Sequence, residues 1–319
     1  MRVSDEIITL LRCPACGDGL VFADERMTCA SAGCGACYPV VDGIPILIDE
    51  ASSVFSFDQF TSGESTFFKD RGRLTRLLDR LLPTIGGANI LGKRNYARFA
   101  DLLLEASDLP RVLVIGGSIL GSGMSALLAH PEIELVETDV SFGPRTRLIC
   151  DAHSLPFADG SFDGVVAQAV LEHVADPYRC VDEMHRALKT NGVVYAETPF
   201  MQPVHGGRYD FTRFTALGHR RLFRRFAEID SGAVCGPGMA LAYAYQYFLL
   251  SFAAAKAARK LIYAFARLTG WFWKYFDYCL VSRPQALDAA SGLYFLGRKE
   301  DGPPITDREI AASYRGGLD

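Results

Sequence analysis

From residue 111 onward, short apolar runs alternate along the chain with stretches of helical periodicity. Runs of aliphatic residues predict five buried strands, in the segments RVLVIGG, EIELVETDVS, RLICDAHSLPF, SFDGVVAQAVLEHV and VVYAETPF. Between the last two, apolar residues recur at helical spacing behind Pro177, and we expect Gly192 to end this helix. Strands that alternate with helices predict an α/β fold, with a Rossmann-like parallel sheet and helices on both faces.

Small or polar residues follow each of the first four predicted strands, where a parallel sheet binds its ligands. The first strand leads into a glycine loop, residues 116–123, whose bare backbone can approach a ligand in front of a predicted helix start. A carboxylate after the second strand suits ribose hydroxyls, and one after the third suits an adenine amino group. The residues after the fourth strand either line the cofactor side or hold their loop. The candidates are Gly116, Gly117, Gly121, Gly123, Asp139, Asp151, Ala152, Gln168, Glu172 and His173.

Five of the nine cysteines fall within the first 37 residues. Cys13-Pro-Ala-Cys16 forms a tight knuckle, and three further thiols follow at Cys29, Cys34 and Cys37. Thiolates grouped in this way suit a tetrahedral Zn²⁺ ion, which replaces a core that so short a segment does not build alone. The alternative is that these cysteines are small buried apolar residues. Five thiols for four positions leave the fourth ligand open between Cys34 and Cys37.

The composition changes along the chain and indicates four segments. We predict a zinc domain over 1–50, a polar linker over 51–66, the α/β domain over 67–230, and a helical cap with the closing strand and helix of that domain over 231–319.

The charge limits the class of partner. The formal charge of -4, with eight acidic and three basic side chains up to residue 50, does not favour a nucleic-acid partner. Nine cysteines without an apolar leader segment indicate reduced thiols and a cytoplasmic protein.

The start of the predicted cap is strongly apolar. Residues 231–255 carry no charged side chain, and MALAYAYQYFLLSFAAA is near the lower limit for spanning a bilayer. The following segment, KAARKLIYAFARLTGWFWKYFDYCLV, mixes aromatic with basic residues. Three interpretations stay open: buried helices that cap an acceptor cleft and support a homodimer, a basic amphipathic surface at the inner face of a membrane, and a true span. A lipid-linked or lipophilic acceptor suits the first two.

The N-terminal pattern CPAC…C…CGACYPVVDGIPIL resembles the zinc-ribbon domain of the small activator subunit of tRNA and protein methyltransferases, which is also fused to many bacterial methyltransferases. The family pattern ends in Cys-Gly-x-x-Tyr-Pro. The resemblance therefore implies zinc ligation by four cysteines, Cys13, Cys16, Cys29 and Cys34. The chain departs from the pattern by four residues between the third and fourth ligands and by the extra thiol of Cys37. We expect this acidic ribbon to serve structure or protein contact rather than RNA binding.

The segment from 111 to 230 resembles the class I S-adenosylmethionine-dependent methyltransferases of the type 11 group. The phrases DAHSLPFADGSFD and LEHV, in that order, carry the resemblance. It implies a class I sheet, S-adenosylmethionine as cofactor, and cofactor contacts at Gly116, Gly117, Gly121, Asp139, Asp151 and Ala152. The glycine loop departs from the family's G-x-G-x-G by reading GGSILGSG. A nicotinamide cofactor and an empty cleft are the alternatives.

The loop after the fifth strand, TPFMQPVHGGRYDFTRFT, holds several polar side chains at the same edge of the sheet. It resembles the P-F-x-x-x-x-H-x-x-x-Y-D-F-x-R-F-T segment of methyltransferases associated with glycan or cell-surface biosynthesis. We predict His205 as a general base, because the ordinary pKa of histidine is about 6.5. Tyr209 and Asp210 are predicted to bind or orient the acceptor. The alternative is a structural ion pair of Asp210 with Arg213 and a histidine satisfied within its loop.

Together these observations predict a methyltransferase that acts on an oxygen, less favourably a nitrogen, of a small-molecule, glycan or lipid-linked acceptor. Methyl transfer is an in-line displacement, so the protein mainly aligns the two reactants. Two rivals remain. One is a catalytically inactive methyltransferase-fold scaffold that acts through its zinc ribbon, and the other is an RNA base methyltransferase.

Overall fold

The computed structural model describes residues 2–61, 82–87 and 89–318. Residues 62–81 and 88, which include the end of the predicted linker and the start of the predicted α/β domain, lie outside the described residues. The strands are β1 (Leu20–Ala23), β2 (Arg26–Cys29), β3 (Cys37–Val41), β4 (Ile44–Leu47), β5 (Arg111–Ile115), β6 (Glu134–Asp139), β7 (Leu148–Cys150), β8 (Phe162–Gln168), β9 (Leu188–Pro199), β10 (Phe226–Cys235) and β11 (Gly292–Lys299).

Helices surround these strands. The α-helices in the described residues are α1 (Asp5–Leu10), α2 (Phe57–Thr61), α3 (Gly92–Leu104), α4 (Pro177–Ala187), α5 (Ala216–Leu222), α6 (Pro237–Leu250), α7 (Lys256–Gly270), α8 (Asp277–Leu280), α9 (Gln285–Asp288) and α10 (Asp307–Ala312). Short 3₁₀ helices lie at Met124–Ala129, Gly207–Tyr209 and Trp273–Phe276.

The strands form one sheet in the order β1-β2-β3-β4-β7-β6-β5-β8-β9-β11-β10. Neighbours from β4 to β9 run parallel, and β11 is antiparallel to both β9 and β10. From β5 the chain builds outward through β6 and β7 on one side, and through β8 and β9 on the other. This reversal makes the carboxyl ends of β5 and β8 the switch point at which such sheets bind ligands. The predicted parallel α/β sheet is confirmed.

Three local expectations are corrected. The glycine loop leads into the 3₁₀ helix Met124–Ala129 rather than a regular helix, and the backbone of His130, directly behind it, is already extended. Helix α4 begins behind the Asp176 cap but ends at Ala187, and Gly192 lies inside β9 instead of ending the helix. Pairing with β8 starts at Leu188, so the chain is already a strand when it reaches Gly192. Strand β10 was not predicted at all.

The N-terminal module is continuous with the main sheet. Strand β4 pairs in parallel with β7, with Ile46 opposite Ile149. The amide of Arg12 donates to the carbonyl of Pro156 at 2.9 Å. Leu11 and Phe157 are both fully buried in one shared core. The module therefore covers the edge of β7, which would otherwise expose unpaired backbone groups.

The apolar segment after β10 forms α6 and α7. The carboxylate of Asp277 caps α6, since it accepts hydrogen bonds from the amides of Gly236, Gly238 and Met239 at 3.1, 2.7 and 3.0 Å. Met239 anchors the helix in the core beside β10 and β11. Within the described residues, no helix combines the length and apolar character needed to cross a bilayer.

Candidate active site

A cavity of about 590 Å³ opens at the carboxyl ends of β5 to β8. Its volume lies within the range of pockets that bind small molecules and cofactors. The walls bring together predicted residues from all four strand ends and from the loop after β9, namely Gly116, Gly121, Asp139, Asp151, Ala152, Gln168, His173 and His205. The sequence-predicted cleft is thus one continuous space in the structure.

The glycine loop needs its glycines for two separate reasons. Gly116 has a φ of 73°, which residues with a side chain rarely adopt, and a Cβ there would strike Val170. A Cβ on Gly121 would overlap the side-chain oxygen of Gln168. Gly117 lies behind the wall, where its amide donates to the carbonyl of Thr138 at 2.8 Å and fixes the loop against β6.

Asp139 ends β6 and faces the cavity. Its Oδ2 accepts a hydrogen bond from the amide of Ser118, in the glycine loop, at 3.0 Å. Burial raises the pKa of Asp139, and the hydrogen bonds from Ser118 only partly offset this effect. A half-buried carboxylate that lines the cavity is a suitable acceptor for hydroxyl donors of a ligand.

Asp151 follows β7 and is held from two directions. Its Oδ1 lies 2.6 Å from Nδ1 of His153, and its Oδ2 accepts a hydrogen bond from the hydroxyl of Ser53. Burial opposes ionisation, but these hydrogen bonds outweigh it and lower the pKa of Asp151. Ser53 belongs to the predicted linker, whose neighbours Val54 and Phe55 line the cavity. Part of the predicted linker therefore forms a wall of the candidate site.

A buried network around Glu197 was not predicted from the sequence. Glu197 Oε2 accepts hydrogen bonds from the amides of Gln168 and Asn89, each at 2.8 Å, and Oε1 accepts one from the hydroxyl of Tyr195. Burial raises the pKa of Glu197. The network fixes Gln168 beneath the glycine loop. An acid near the end of the fifth predicted strand was the available signal, since strand ends point into the cleft.

The loop after β9 forms another wall of the cavity, to which His205 and Gly206 contribute. Asp210 turns away from the cavity and accepts hydrogen bonds from the amides of His205 and Gly206 at 2.8 and 3.0 Å. Arg213 pairs with the same carboxylate. Burial opposes ionisation, yet these hydrogen bonds hold the pKa of Asp210 below its usual range. The geometry gives Asp210 the task of shaping the loop that carries His205.

Tyr209 also lies behind this wall. Its ring packs against Phe55 with centroids 5.5 Å apart, and the guanidinium of Arg208 lies over the same ring. Its carbonyl oxygen is 2.8 Å from Nδ1 of His173. The structure therefore places Tyr209 between the linker wall and the loop after β8, rather than in the cavity itself.

Glu172 joins the two histidines into a cluster. Its side chain is fully buried, and its Oε1 lies 3.7 Å from Nε2 of both His173 and His205. The carboxylate raises the pKa of His205, although burial acts in the opposite direction. Sequence reasoning named all three residues but did not place them together, because they come from two loops far apart in the chain.

Four of the N-terminal cysteines form a second cluster, none of which lines the cavity. The Sγ atoms of Cys13, Cys16, Cys29 and Cys34 all lie within 4.8 Å of one another. A tetrahedral zinc site with Zn–S bonds of about 2.3 Å separates its sulfur atoms by about 3.8 Å, so the set fits this ion. Cys37 is exposed and lies outside the group, with its Sγ 3.8 Å from Arg26. The hydroxyl of Tyr38 lies 3.1 Å from Sγ of Cys13.

Comparison with known proteins finds a family model that matches part of the chain. Residues 123–196 match the family model Methyltransf_11, described as a methyltransferase domain. A malonyl-[acyl-carrier protein] O-methyltransferase of Laribacter hongkongensis is 27% identical over 154 residues, which cover 41% of this chain and 52% of the relative. The chain thus spans about half the length of that relative.

Two further similarities were found. A UPF0434 protein of Pseudomonas savastanoi is 32% identical over 54 residues, which are 17% of this chain and 88% of the relative. A solved structure provisionally named as a sarcosine dimethylglycine methyltransferase of Galdieria sulphuraria aligns with a TM-score of 0.44 and 14% identity, over 77% of this chain and 97% of that one. The chain thus combines a segment of the UPF0434 protein family with a segment that matches a methyltransferase domain.

Proposed function

We propose that this protein transfers a methyl group from S-adenosylmethionine to an oxygen atom of a small-molecule, glycan or lipid-linked acceptor. The observation that carries the proposal is one cavity with two kinds of wall. Gly116, Asp139 and Asp151 line it at the strand ends, which we call the cofactor end, and His205 lines it from the loop after β9, which we call the acceptor end. A site with this layout can hold two reactants in line, which is the main requirement of methyl transfer.

The cofactor end offers groups that fit S-adenosylmethionine. The glycine loop lets the backbone approach the ligand, and Asp139 offers a carboxylate to ribose hydroxyls. Asp151 and Ala152 border the space for the adenine ring, beside the apolar side chains of the linker wall. When bound, the cofactor supplies an electrophilic methyl group on a sulfonium.

At the acceptor end we propose that His205 acts on the proton that an acceptor hydroxyl must lose. Asp210 holds the loop that presents this histidine, and Tyr209 supports the same loop through its backbone. The name of the Laribacter hongkongensis relative, an O-methyltransferase, also favours an oxygen acceptor.

Calorimetric titration of the full chain with S-adenosylmethionine tests this proposal, followed by a screen of hydroxylated small molecules, glycans and lipid-linked sugars for formation of S-adenosylhomocysteine. We expect saturable cofactor binding and turnover with one acceptor class. Absence of cofactor binding would instead favour a catalytically inactive scaffold. Turnover only with RNA would favour a base methyltransferase.

We also propose that Cys13, Cys16, Cys29 and Cys34 hold one structural Zn²⁺ ion. The ion would fix a module whose strand β4 borders β7 and whose chain continues to Ser53, the partner of Asp151. Cys16→Ser should remove the zinc measured by mass spectrometry and lower the melting temperature. Cys37→Ser is the matched control, since that thiol lies outside the cluster, and it should retain the metal. Equal metal loss in both variants would contradict this assignment.

Finally, we propose a cytoplasmic protein whose cap touches the inner face of a membrane. Phe248 and Phe252 are 62% and 71% exposed, and the nearby Lys256, Arg259 and Lys260 are exposed as well. Residues 231–276 contain no acidic side chain, so the surface suits anionic lipid.

Sedimentation with phosphatidylglycerol vesicles, compared with neutral phosphatidylcholine vesicles, tests the membrane contact. Phe252→Ser should reduce sedimentation with the anionic vesicles. The matched control is Leu109→Ser, which changes an equally exposed apolar residue elsewhere and should sediment as the wild type does. A concentration-dependent dimer without vesicle binding would show that a second copy covers this face.

A further inference from the structure

The carboxylate of Glu172 is buried without a partner that satisfies it. The side chain is 0% exposed, and within the described residues neither of its oxygens has a hydrogen-bond partner. Removing an unpaired carboxylate from water costs several kcal/mol, about the penalty seen for buried charges in proteins. Buried carboxylates are therefore paired with a cation or bound to a metal. Within the described residues, the groups that face this carboxylate are the imidazoles of His173 and His205, which leave its charge unbalanced while they are neutral.

Two imidazoles point at the same carboxylate. Nε2 of His173 and Nε2 of His205 each lie 3.7 Å from Oε1 of Glu172, which is too far for a hydrogen bond. The three ligand atoms lie within 4.8 Å of one another. An ion with bonds of about 2.0–2.2 Å to nitrogen and oxygen would fit between atoms at these separations after a small adjustment of the loop.

The backbone sets the tautomer of both rings. Nδ1 of His173 is 2.8 Å from the carbonyl oxygen of Tyr209, and Nδ1 of His205 is 3.2 Å from that of Pro203. A carbonyl only accepts, so each Nδ1 carries the hydrogen, and Nε2 of the neutral ring keeps its lone pair. These Nε2 atoms are the ones that lie 3.7 Å from Oε1 of Glu172. Hydrogen bonding of the outer ring nitrogen to a carbonyl is the usual way in which proteins orient metal-binding histidines.

We propose that Glu172, His173 and His205 bind a divalent transition-metal ion at the acceptor end of the cavity. Two imidazoles and one carboxylate suit ions such as Mn²⁺, Fe²⁺ and Zn²⁺ and leave further coordination positions open. His173, His205 and Gly206 line the cavity, so those positions face the space for the acceptor. Gly206 is required here, because a Cβ would strike the ring of His173.

The site narrows the class of acceptor. An ion at this position would bind an acceptor hydroxyl and lower its pKa, and a neighbouring hydroxyl or carboxylate on the same molecule would complete a chelate. With Nε2 on the ion and Nδ1 bonded to the carbonyl of Pro203, His205 would hold the ion instead of acting as the base, and the proton of the acceptor hydroxyl would pass to water. This role in the reaction rests on the proposed methyltransferase function, whereas binding of the ion does not.

Titration of the full-length protein with Mn²⁺, followed by electron paramagnetic resonance, tests the site directly. Mn²⁺ is the probe because thiolates prefer softer ions, so the cysteine cluster competes little. We expect one Mn²⁺ per chain, and binding weaker by about tenfold or more in both Glu172→Gln and His205→Ala. His130→Ala, a histidine outside the cavity, is the matched control and should bind as the wild type does.

Melting curves of each variant show whether it folds, and His205→Ala keeps the test valid if the buried Glu172→Gln does not. Absence of Mn²⁺ and Zn²⁺ binding beyond one thiolate-bound zinc would overturn the proposal, as would binding that neither variant weakens. Ion binding without S-adenosylmethionine binding would support the site and contradict the methyltransferase function. Cofactor binding together with turnover that a metal chelator does not change would support the methyltransferase function and contradict a role of the ion in it.

Discussion

The two ends of the cavity are built in different ways. The cofactor end is formed where β5 to β8 stop, and its main contributions are a bare backbone turn and carboxylates fixed at strand ends. The acceptor end is formed by side chains from two loops, with Glu172 and His173 after β8 and His205 after β9. The order of the strands determines the first end. Side-chain contacts between loops determine the second.

The cofactor end is a general feature of the fold, whereas the acceptor end is particular to this chain. Any sheet of this topology brings the same strand ends together, so the cofactor end belongs to the fold. The acceptor end depends on Asp210 and Arg213, which hold the second loop, and on the carbonyls that orient the histidines. Substitutions at the two ends should therefore change different measured quantities.

The largest expected effect is at the acceptor end. Glu172→Gln should lower turnover by about 100-fold or more, since it removes a buried charge beside the reacting groups. The dissociation constant for S-adenosylmethionine, measured by calorimetry, should stay within about twofold of the wild type, because no cofactor contact changes. His130→Ala is the control and should keep both values. Equal loss of cofactor affinity and turnover would break the distinction between the ends.

Asp139→Ala should produce the opposite pattern. Loss of a charged hydrogen-bond acceptor for the ribose should weaken cofactor binding by about 10- to 100-fold. Turnover at saturating cofactor should change little. Asp101→Ala, an exposed acid on α3, provides the comparison and should leave affinity unchanged. Normal cofactor affinity in this variant would show that Asp139 does not bind the cofactor.

Gly121→Ala tests the close approach of the glycine loop. The added Cβ would overlap Gln168, whose amide is tied to Glu197 and to the carbonyl of Ser122 at 2.9 Å. Displacing this side chain should weaken cofactor binding by about tenfold, through the hydrogen bonds that it breaks. At Gly302 a Cβ meets nothing within 4 Å, so Gly302→Ala should bind the cofactor normally.

The smallest effect is a pH dependence confined to the cofactor end. Burial raises the pKa of Asp139, so this carboxyl takes up its proton at a higher pH than an exposed aspartate does. Hydroxyl donors bind the ionised form, so cofactor affinity should fall as the pH drops through that raised value. Calorimetry between pH 7 and 5 measures this change. In Asp139→Asn the slope should vanish, and a slope that persists would assign the titration to another group.

Much of the cofactor end could be predicted from the sequence, because strand periodicity and the residues after each strand are local features. RVLVI and its glycine loop predict a strand and a close backbone approach, and β5 and Gly116 bear this out. Strand β10 was missed, because its residues FAEIDSGAVC are mostly half-buried beside β11 and show no clear alternation. The prediction that Gly192 ends a helix was wrong for a related reason, since pairing with β8 overrides a local helix-ending signal.

The sequence by itself determined the order of apolar runs, the cysteine spacing and the residues at the strand ends, because each depends on neighbours in the chain. Only the tertiary structure decided which loops meet. It set Ser53 against Asp151, placed Gln168 on Glu197, and directed two histidines toward Glu172. These contacts join residues far apart in sequence, and their geometry follows from the packing of the sheet.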